Sequence, residues 1–371
     1  MKIAIVFDDL IQFGGAERLL LAIHELWPGA PIYTSYASGK WVRKCKKEGI
    51  ILKTSFMQYL PFKEKLNRVY APLLFYCLAF EGFNFDGYDI VLSVSSRFSH
   101  GVITKPGTAH ICYMNTPGRM FWNPGEYFKS TNKLLTFLVQ PFLSHLRIWD
   151  YTAARRVDYF IANSKTPRER IKKYYGRDAA TIYPFVDNLY LNKSVSIKKG
   201  NYYLIISRLV PWKRIDIAVE AFNRLNIPLK IIGGGSDTKR LKNMANNNIE
   251  FLGQLSEDQK IKYLLECIAL IQTQNEDFGI VPLEAMAMGK PVIAYGFGGA
   301  CETVVQGITG EFFYNQTFGD IIKIVEAFGY IKYNGDTCRN QASKFTKEKF
   351  RNEVKNFVNN VYLTTTSTKN I

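Results

Sequence analysis

Apolar positions along the chain fall into short runs, separated by polar turns and by stretches of helical period. The first run, Ile3 to Phe7, is followed by Gly14-Gly15, then by Leu19, Leu20, Ile23 and Leu26 at helical spacing, closed by Pro28-Gly29. Strand, glycine turn and helix in that order open an α/β unit. The pattern predicts further strands at 88–94, 109–114, 158–162 and 180–183, with a helix over 166–175. A polar stretch rich in Lys, Ser and Asn, 192–201, reads as a linker. A second series follows it. Strands are predicted at 202–207, 229–232, 249–252, 269–273 and 292–295, and helices at 215–225, 259–266 and 282–288. A final helix is predicted over 347–362, followed by a Thr/Ser-rich tail.

Two such series predict an α/β protein with two doubly wound, Rossmann-like domains facing a central cleft. Ligands of such sheets sit outside the carboxyl ends of the strands. The expected boundaries are 1–190 for the first domain, 191–201 for the linker and 202–346 for the second domain. The helix 347–362 and a disordered tail 363–371 complete the chain.

Composition narrows the class. The 371 residues are 47% hydrophobic and 22% charged, a globular mix rather than a disordered or fibrous one. The longest apolar stretch, 71–80, is about half the roughly 20 residues that a membrane span needs. Six cysteines lie far apart with no C-x-x-C pair, which speaks against a structural zinc site or a disulfide framework. The N-terminal apolar run is broken early by Asp8 and Asp9, unlike a signal peptide. The expectation is a cytosolic protein, soluble or peripheral to a membrane. Net charge is +16, an excess that favours an anionic partner. It is lopsided: residues 1–199 hold 28 basic and 15 acidic side chains, a net +13, against 20 and 17, a net +3, in the rest.

Several segments could carry chemistry. In Asn275-Glu276-Asp277-Phe278-Gly279-Ile280-Val281-Pro282-Leu283-Glu284, Pro282 suits the first position of a helix, where its missing N–H costs nothing. The amides of Phe278, Gly279 and Ile280 then lie at the helix N-terminus, where free N–H groups and the dipole favour phosphate. Glu276 before the helix and Glu284 inside it could address different parts of one ligand; two solvated acids around a cap is an equal reading. Arg208 and Lys213, five residues apart in a strand-to-helix loop, can clamp a diphosphate. A solvated basic loop is the simpler local reading. Gly14-Gly15 could approach a phosphate or merely turn the chain. Neither it nor Gly233-Gly234-Gly235 completes G-x-G-x-x-G, so a dinucleotide dehydrogenase is not supported. Four histidines, none at metal-ligand spacing, speak against catalytic zinc, and His110 reads as a strand residue. From Lys40 to Phe85, Trp41, Arg43, Lys44, Lys46, Lys47, Lys53, Lys63 and Lys65 alternate with Phe56, Met57, Tyr59, Leu60 and Phe62. Leu73-Leu74-Phe75-Tyr76 follow. Such a mixture suits an anionic membrane interface, or a charged face over a buried helix.

Taken together, the segments resemble the GT-B retaining glycosyltransferases of family 4 (group 1). The likeness is strongest over 151–187 and 202–313. Glu276 and Glu284 match that family's E-x7-E motif, Arg208 and Lys213 its diphosphate-binding pair, and Gly14-Gly15-Ala16-Glu17 its first-domain glycine loop. The segment Thr116-Pro117-Gly118-Arg119-Met120-Phe121-Trp122 is similar to mannosyltransferases of bacterial O-antigen and capsule assembly. So are Ile161-Ala162-Asn163-Ser164, Tyr174-Tyr175-Gly176 and Ile182-Tyr183-Pro184. The resemblance implies a retaining, metal-independent transfer of a hexose, best matched by mannose from GDP-mannose, to a polyprenyl-diphosphate-linked glycan. A UDP-sugar is the alternative donor. No cofactor is implied beyond the nucleotide-sugar substrate. Arg208 and Lys213 would hold the diphosphate. Glu276, with the amides of Phe278, Gly279 and Ile280, would hold the sugar and β-phosphate, and Glu284 the ribose. Asn115 stands where the family usually has a histidine near the reacting carbon, and Asn does not titrate near neutral pH. The last helix resembles the segment that crosses back onto the first domain. The basic first half is then expected to face an anionic membrane on its cytoplasmic side. A nucleic-acid-binding or non-catalytic membrane-binding protein is the rival class, and no docking signature for nucleic acid is present.

Overall fold

The computed structural model describes residues 1–64, 66, 70–71, 73–127, 133–193, 200–328 and 333–369. The chain divides into two compact units, Met1–Tyr183 with Glu348–Ile371, and Pro184–Lys347.

The first unit is built on a seven-stranded parallel sheet. Its strands are β1 (Ile3–Phe7), β2 (Ile32–Thr34), β3 (Leu52–Thr54), β4 (Ile90–Ser95), β5 (Ala109–Met114), β6 (Tyr159–Ala162) and β7 (Ala179–Thr181), in the order β3-β2-β1-β4-β5-β6-β7. Strand order reverses between β1 and β4, where Ile5 lies opposite Leu92. Every residue of β1, β4 and β5 is buried, which is why these strands are mostly apolar rather than alternating, with Ser93, Ser95 and His110 as the polar exceptions. The helix Gly15–His24 buries Leu19, Leu20 and Ile23. The helix Lys347–Lys369 lays Phe350 edge-on against Tyr113, with ring centroids 5.8 Å apart, and Val354 and Val358 are buried beside it.

The second unit carries a six-stranded parallel sheet. Its strands are β8 (Tyr203–Ile206), β9 (Leu229–Ile232), β10 (Ile249–Gly253), β11 (Leu270–Gln272), β12 (Val292–Tyr295) and β13 (Gly310–Phe313), ordered β10-β9-β8-β11-β12-β13. Here the order reverses between β8 and β11, paired through Leu204 and Leu270. The amphipathic helix Ile215–Leu225 buries Ile215, Ile217, Val219 and Phe222, and Phe222 meets Tyr203 edge-on. Gly233 (φ +132°) ends β9 so close to the neighbouring loop that a Cβ there would stand 1.8 Å from the Ser207 carbonyl oxygen. The glycine triplet thus serves close packing under the loop that carries Arg208.

Three expectations need correction. Residues 184–190 belong to the second unit, not the first. The Val186 N–H donates to the Phe345 carbonyl (2.9 Å) and the Tyr190 hydroxyl to Glu257 (2.5 Å), and Asn188–Leu191 is a short helix. Of the expected linker, 194–199 lies outside the described residues. The Thr/Ser-rich tail is helical through Lys369. The hydroxyls of Thr364, Thr365, Thr366 and Ser367 donate to carbonyls one turn earlier, so they satisfy themselves on the helix instead of competing with it. Lastly, the helix expected from Pro282 begins at Ile280, with Gly279 as its N-cap. Pro282 is therefore its third residue, still among the positions whose N–H has no partner in the helix.

Candidate active site

In the second unit the two loops that leave the sheet at its reversal point meet. The loop after β8 holds Arg208, Trp212 and Lys213; the loop after β11 holds Thr273, Gln274 and Glu276. Such a reversal splays the adjacent loops apart and leaves room beyond the strand ends. Lys213 sits in the 3-10 turn Pro211–Lys213, and its ammonium is hydrogen-bonded to Glu276 Oε1. The same Oε1 accepts from Gln274 Nε2 at 3.0 Å. Thr273 Oγ1 donates to the Lys213 carbonyl at 2.7 Å, which ties the two loops through the backbone as well. The Trp212 ring completes the cluster, with Lys213 Nζ 4.2 Å and Arg208 Cζ 5.9 Å from its centroid. Lys213 is only 6% exposed, so its charge acts in a poorly screened setting. Arg208 is exposed. Arg214, next in sequence, takes a left-handed backbone (φ +53°) that an arginine adopts at a cost, a strain common beside functional loops.

Glu276 leads directly into a helix N-terminus. Gly279, at φ +85°, is the N-cap of Ile280–Ala287, so Phe278, Gly279 and Ile280 bring their amides to the positive end of the dipole. Glu276 is held in place by a bridge to Gly298 and by accepting the Gly299 N–H at its carbonyl (2.8 Å). Glu284, inside that helix, is buried. Arg208, Lys213, Glu276, Phe278, Gly279, Ile280 and Glu284 thus occupy adjoining loops and one helix of the second unit.

Gly14, Gly15 and Asn115 belong to the first unit, whose own reversal point they flank. Gly14 precedes the helix Gly15–His24, and its N–H donates to Glu17 Oε2 at 2.8 Å. That amide, expected to be available to a phosphate, already serves the helix cap. Asn115 closes β5: its Nδ2 donates to Ser96 Oγ (3.2 Å), and its Oδ1 accepts from Asn163 Nδ2 at 3.5 Å. Sequence reading missed the carboxylates beside it. The buried Asp8 accepts three backbone N–H bonds, from Ser96, Phe98 and Ser99, at 2.7–2.8 Å, fixing the loop after β4. Asp9 pairs with Arg97 and accepts from the Tyr76 hydroxyl; burial raises its carboxyl above the usual range, against the pull of Arg97. Two acids directly after a strand were the available signal. His110 is fully buried in β5, its Nε2 2.8 Å from Ser93 Oγ, and burial lowers its pKa to about 3.

The basic, aromatic stretch resolves into two parts. Lys40, Arg43, Lys46 and Lys47 form the solvated face of the helix Gly39–Lys47, whose Trp41 and Cys45 are buried. Beyond it Tyr59 (88% exposed), Phe62 (72%) and Leu78 (60%) stand in solvent. Lys65 lies outside the described residues. No helix among the described residues is long and apolar enough to cross a membrane.

Comparison with known proteins bears on the whole arrangement. Residues 187–347 match the family model for glycosyl transferases group 1, a span that contains the entire second-unit cluster. An uncharacterized glycosyltransferase of Methanocaldococcus jannaschii is 29% identical over 53% of this chain and 58% of its own length; the chain thus spans little more than half of that relative. The alpha-1,3/1,6-mannosyltransferase ALG2 of Dictyostelium discoideum is 26% identical over 84% of this chain and 85% of its own. Among solved structures, Anabaena HepE in complex with UDP superposes with a TM-score of 0.68 over 97% of this chain and 100% of that one, at 21% identity. Sucrose-phosphate synthase of Thermosynechococcus elongatus gives 0.71 over 98% and 100%, at 15%. These superpositions show the fold, and the family match spans the loops that build the cluster. Residues 187–347 carry a glycosyl transferases group 1 domain, and the chain has the GT-B fold.

Proposed function

We propose that the chain is a retaining, metal-independent hexosyltransferase that moves mannose from GDP-mannose to a glycan carried on a polyprenyl diphosphate. The observation that carries this is the second-unit cluster: Lys213 and Arg208 beside a helix N-terminus, with Glu276 between them and the helix. Cations and dipole converge there, as a leaving nucleoside diphosphate requires. The alignment with ALG2, an alpha-1,3/1,6-mannosyltransferase, over most of both chains supports the mannosyl part of this reading.

In this reading Arg208 and Lys213 hold the diphosphate, and the amides of Phe278, Gly279 and Ile280 meet the β-phosphate. Glu276 accepts from sugar hydroxyls and Glu284 from the ribose. The acceptor hydroxyl attacks the anomeric carbon on the face the diphosphate leaves. The bond between that carbon and the phosphate oxygen breaks as the new glycosidic bond forms, and the acceptor proton passes to the departing phosphate. Side-chain cations and the helix dipole take the charge that a metal ion would otherwise neutralise. The exposed Tyr59, Phe62 and Leu78, on the half of the chain that carries +13, would rest on the cytoplasmic face of an anionic membrane, where the lipid-linked acceptor resides.

A UDP-sugar is the second reading, favoured by the fold-level likeness to HepE, solved with UDP and with UDP-glucose. Thermal shift with GDP-mannose, GDP, UDP-glucose and UDP in EDTA separates the two. Stabilisation by the GDP ligands alone supports the first; stabilisation by the uridine ligands alone replaces it with the second. No shift with any of them contradicts the donor site.

A further inference from the structure

The last residue of β11 is a glutamine, Gln272, at the end of the run Leu270-Ile271-Gln272 in the middle of the sheet. It is 4% exposed, and neither atom of its carboxamide has a hydrogen-bond partner among the described residues. Burying an unpaired amide costs stability, and such groups are rare unless something else satisfies them. Its position says what that could be. The amide nitrogen stands 3.3 Å, and the oxygen 3.6 Å, from the point where a Cβ on Gly279 would sit. Gly279 is the N-cap of the eight-residue helix Ile280–Ala287. The unpaired amide therefore lies directly against the helix N-terminus. Glu276 lies beside it, with its Cβ 3.6 Å from the same point. Rotating the amide by half a turn leaves the group in place, and an anion selects the rotamer that presents Nε2.

We propose that Gln272 is a binding residue for the diphosphate of the nucleotide donor, its Nε2 donating a hydrogen bond to a phosphate oxygen seated at the N-terminus of the helix Ile280–Ala287. This rests on the donor-site reading above and adds a ligand group from the strand beneath it. Phosphate fits better than a sugar hydroxyl because the first amides of the helix and its dipole are donors and positive, and the carboxylate beside them, Glu276, is paired with the Lys213 ammonium. Glycine at 279 is what lets the amide reach this place, since any side chain there would meet Gln272 and would also need the positive φ.

The test compares the full chain with Gln272→Met, which keeps the length and loses the hydrogen bond, and with Gln272→Glu, which turns a donor into an anion. GDP, UDP and the matching monophosphates are titrated calorimetrically, and melting is followed without ligand. The expected result for Gln272→Met is a diphosphate Kd weakened roughly tenfold, the size of one hydrogen bond to a charged group. Monophosphate binding should stay unchanged and the melting temperature equal or higher. Gln272→Glu should weaken the diphosphate further. A Gln272→Met protein that binds the diphosphate within twofold of the parent overturns the proposal, whatever its melting temperature. So does equal weakening of mono- and diphosphate. If Lys213→Ala weakens the diphosphate while both Gln272 variants do not, only this inference falls. If the parent chain binds neither diphosphate, the donor-site reading falls with it.

Discussion

Lys213 and Glu276 are hydrogen-bonded partners across the two loops that leave β8 and β11, although 63 positions separate them in sequence. The pair has two consequences. Lys213 is nearly buried, so it needs an opposite charge in the unliganded protein, and Glu276 supplies it. In the proposed donor reading, the ammonium would share its hydrogen bonds between a phosphate and the carboxylate.

Removing either partner should therefore have different effects. Lys213→Ala loses a charge-assisted contact and is expected to weaken nucleoside diphosphate binding by roughly 10- to 100-fold. Glu276→Gln keeps the size and the polar contact with Gln274 but releases Lys213, so diphosphate affinity should be kept or improved while turnover drops by roughly 100-fold. Calorimetry and a donor-turnover assay on both variants check the split. Equal loss of affinity in the two would contradict it.

A second prediction concerns the segment from Asn115 to Trp122. Asp150 is completely buried and accepts from Trp122 Nε1 and from the Tyr175 hydroxyl, both at 2.7 Å, with His100 Nε2 at 3.2 Å. Asp150→Leu strands the Trp122 and Tyr175 donors and removes the carboxylate facing His100, and should cost roughly 3–5 kcal/mol of stability. Tyr175→Phe removes one hydrogen bond from a carboxylate that keeps the one from Trp122, and should cost only about 1 kcal/mol. Urea unfolding followed by tryptophan fluorescence distinguishes them.

His110 gives a pH dependence with a definite sign. Burial, assisted by the nearby His100 and Arg156, lowers its pKa to about 3 in the fold, while the unfolded chain titrates near 6.5. Between those values the unfolded state binds one more proton, so stability falls as pH falls from about 6.5 toward 3 and is flat above about 7. The slope due to this one residue is about 1.4 kcal/mol per pH unit. His110→Gln should remove that much of the slope between pH 6 and 4.5 in denaturant titrations. An unchanged slope would show that His110 takes up its proton equally in the folded and unfolded states.

The exposed apolar residues make a separate prediction. Replacing Tyr59, Phe62 and Leu78 by Ser should lower flotation with liposomes containing anionic lipid by tenfold or more, with thermal stability unchanged because none of the three is buried. Replacing Lys46 and Lys47 by Gln should give a smaller, salt-sensitive loss of about 1 kcal/mol per charge. Flotation that is indifferent to these three apolar residues would contradict the membrane reading.

Much of this architecture is legible in the sequence, for physical reasons that also mark where legibility ends. The strand β5 is buried throughout and apolar but for His110, β9 is apolar but for the half-buried Lys230, and the helix Ile215–Leu225 has a strong apolar face, so their limits coincide with the pattern. The strands β2, β3 and β13 are only three or four residues long, too short for a period to emerge. The helix Lys133–Arg155 contains Pro141, which reads as a breaker although it lies inside the helix. At the site, Arg208, Lys213, Glu276 and Glu284 stand out because charges beside a glycine and a proline at strand ends are unusual. Their pairing does not, because the order β8-β11 that brings the loops together is a property of the sheet. Gln272 is invisible in sequence: one glutamine closing an apolar run carries no signal until its burial and its missing partners are seen.

The central claim is that the second-unit cluster ejects a nucleoside diphosphate from a sugar donor. Its most direct test is time-resolved proton NMR of GDP-mannose with the purified chain in EDTA, run beside Lys213→Ala. The account predicts that GDP is released by the parent chain without added metal, that the first-formed sugar product keeps the α configuration, and that Lys213→Ala slows release at least tenfold. Release that requires a divalent metal, a β product, or equal rates in the two proteins would contradict it.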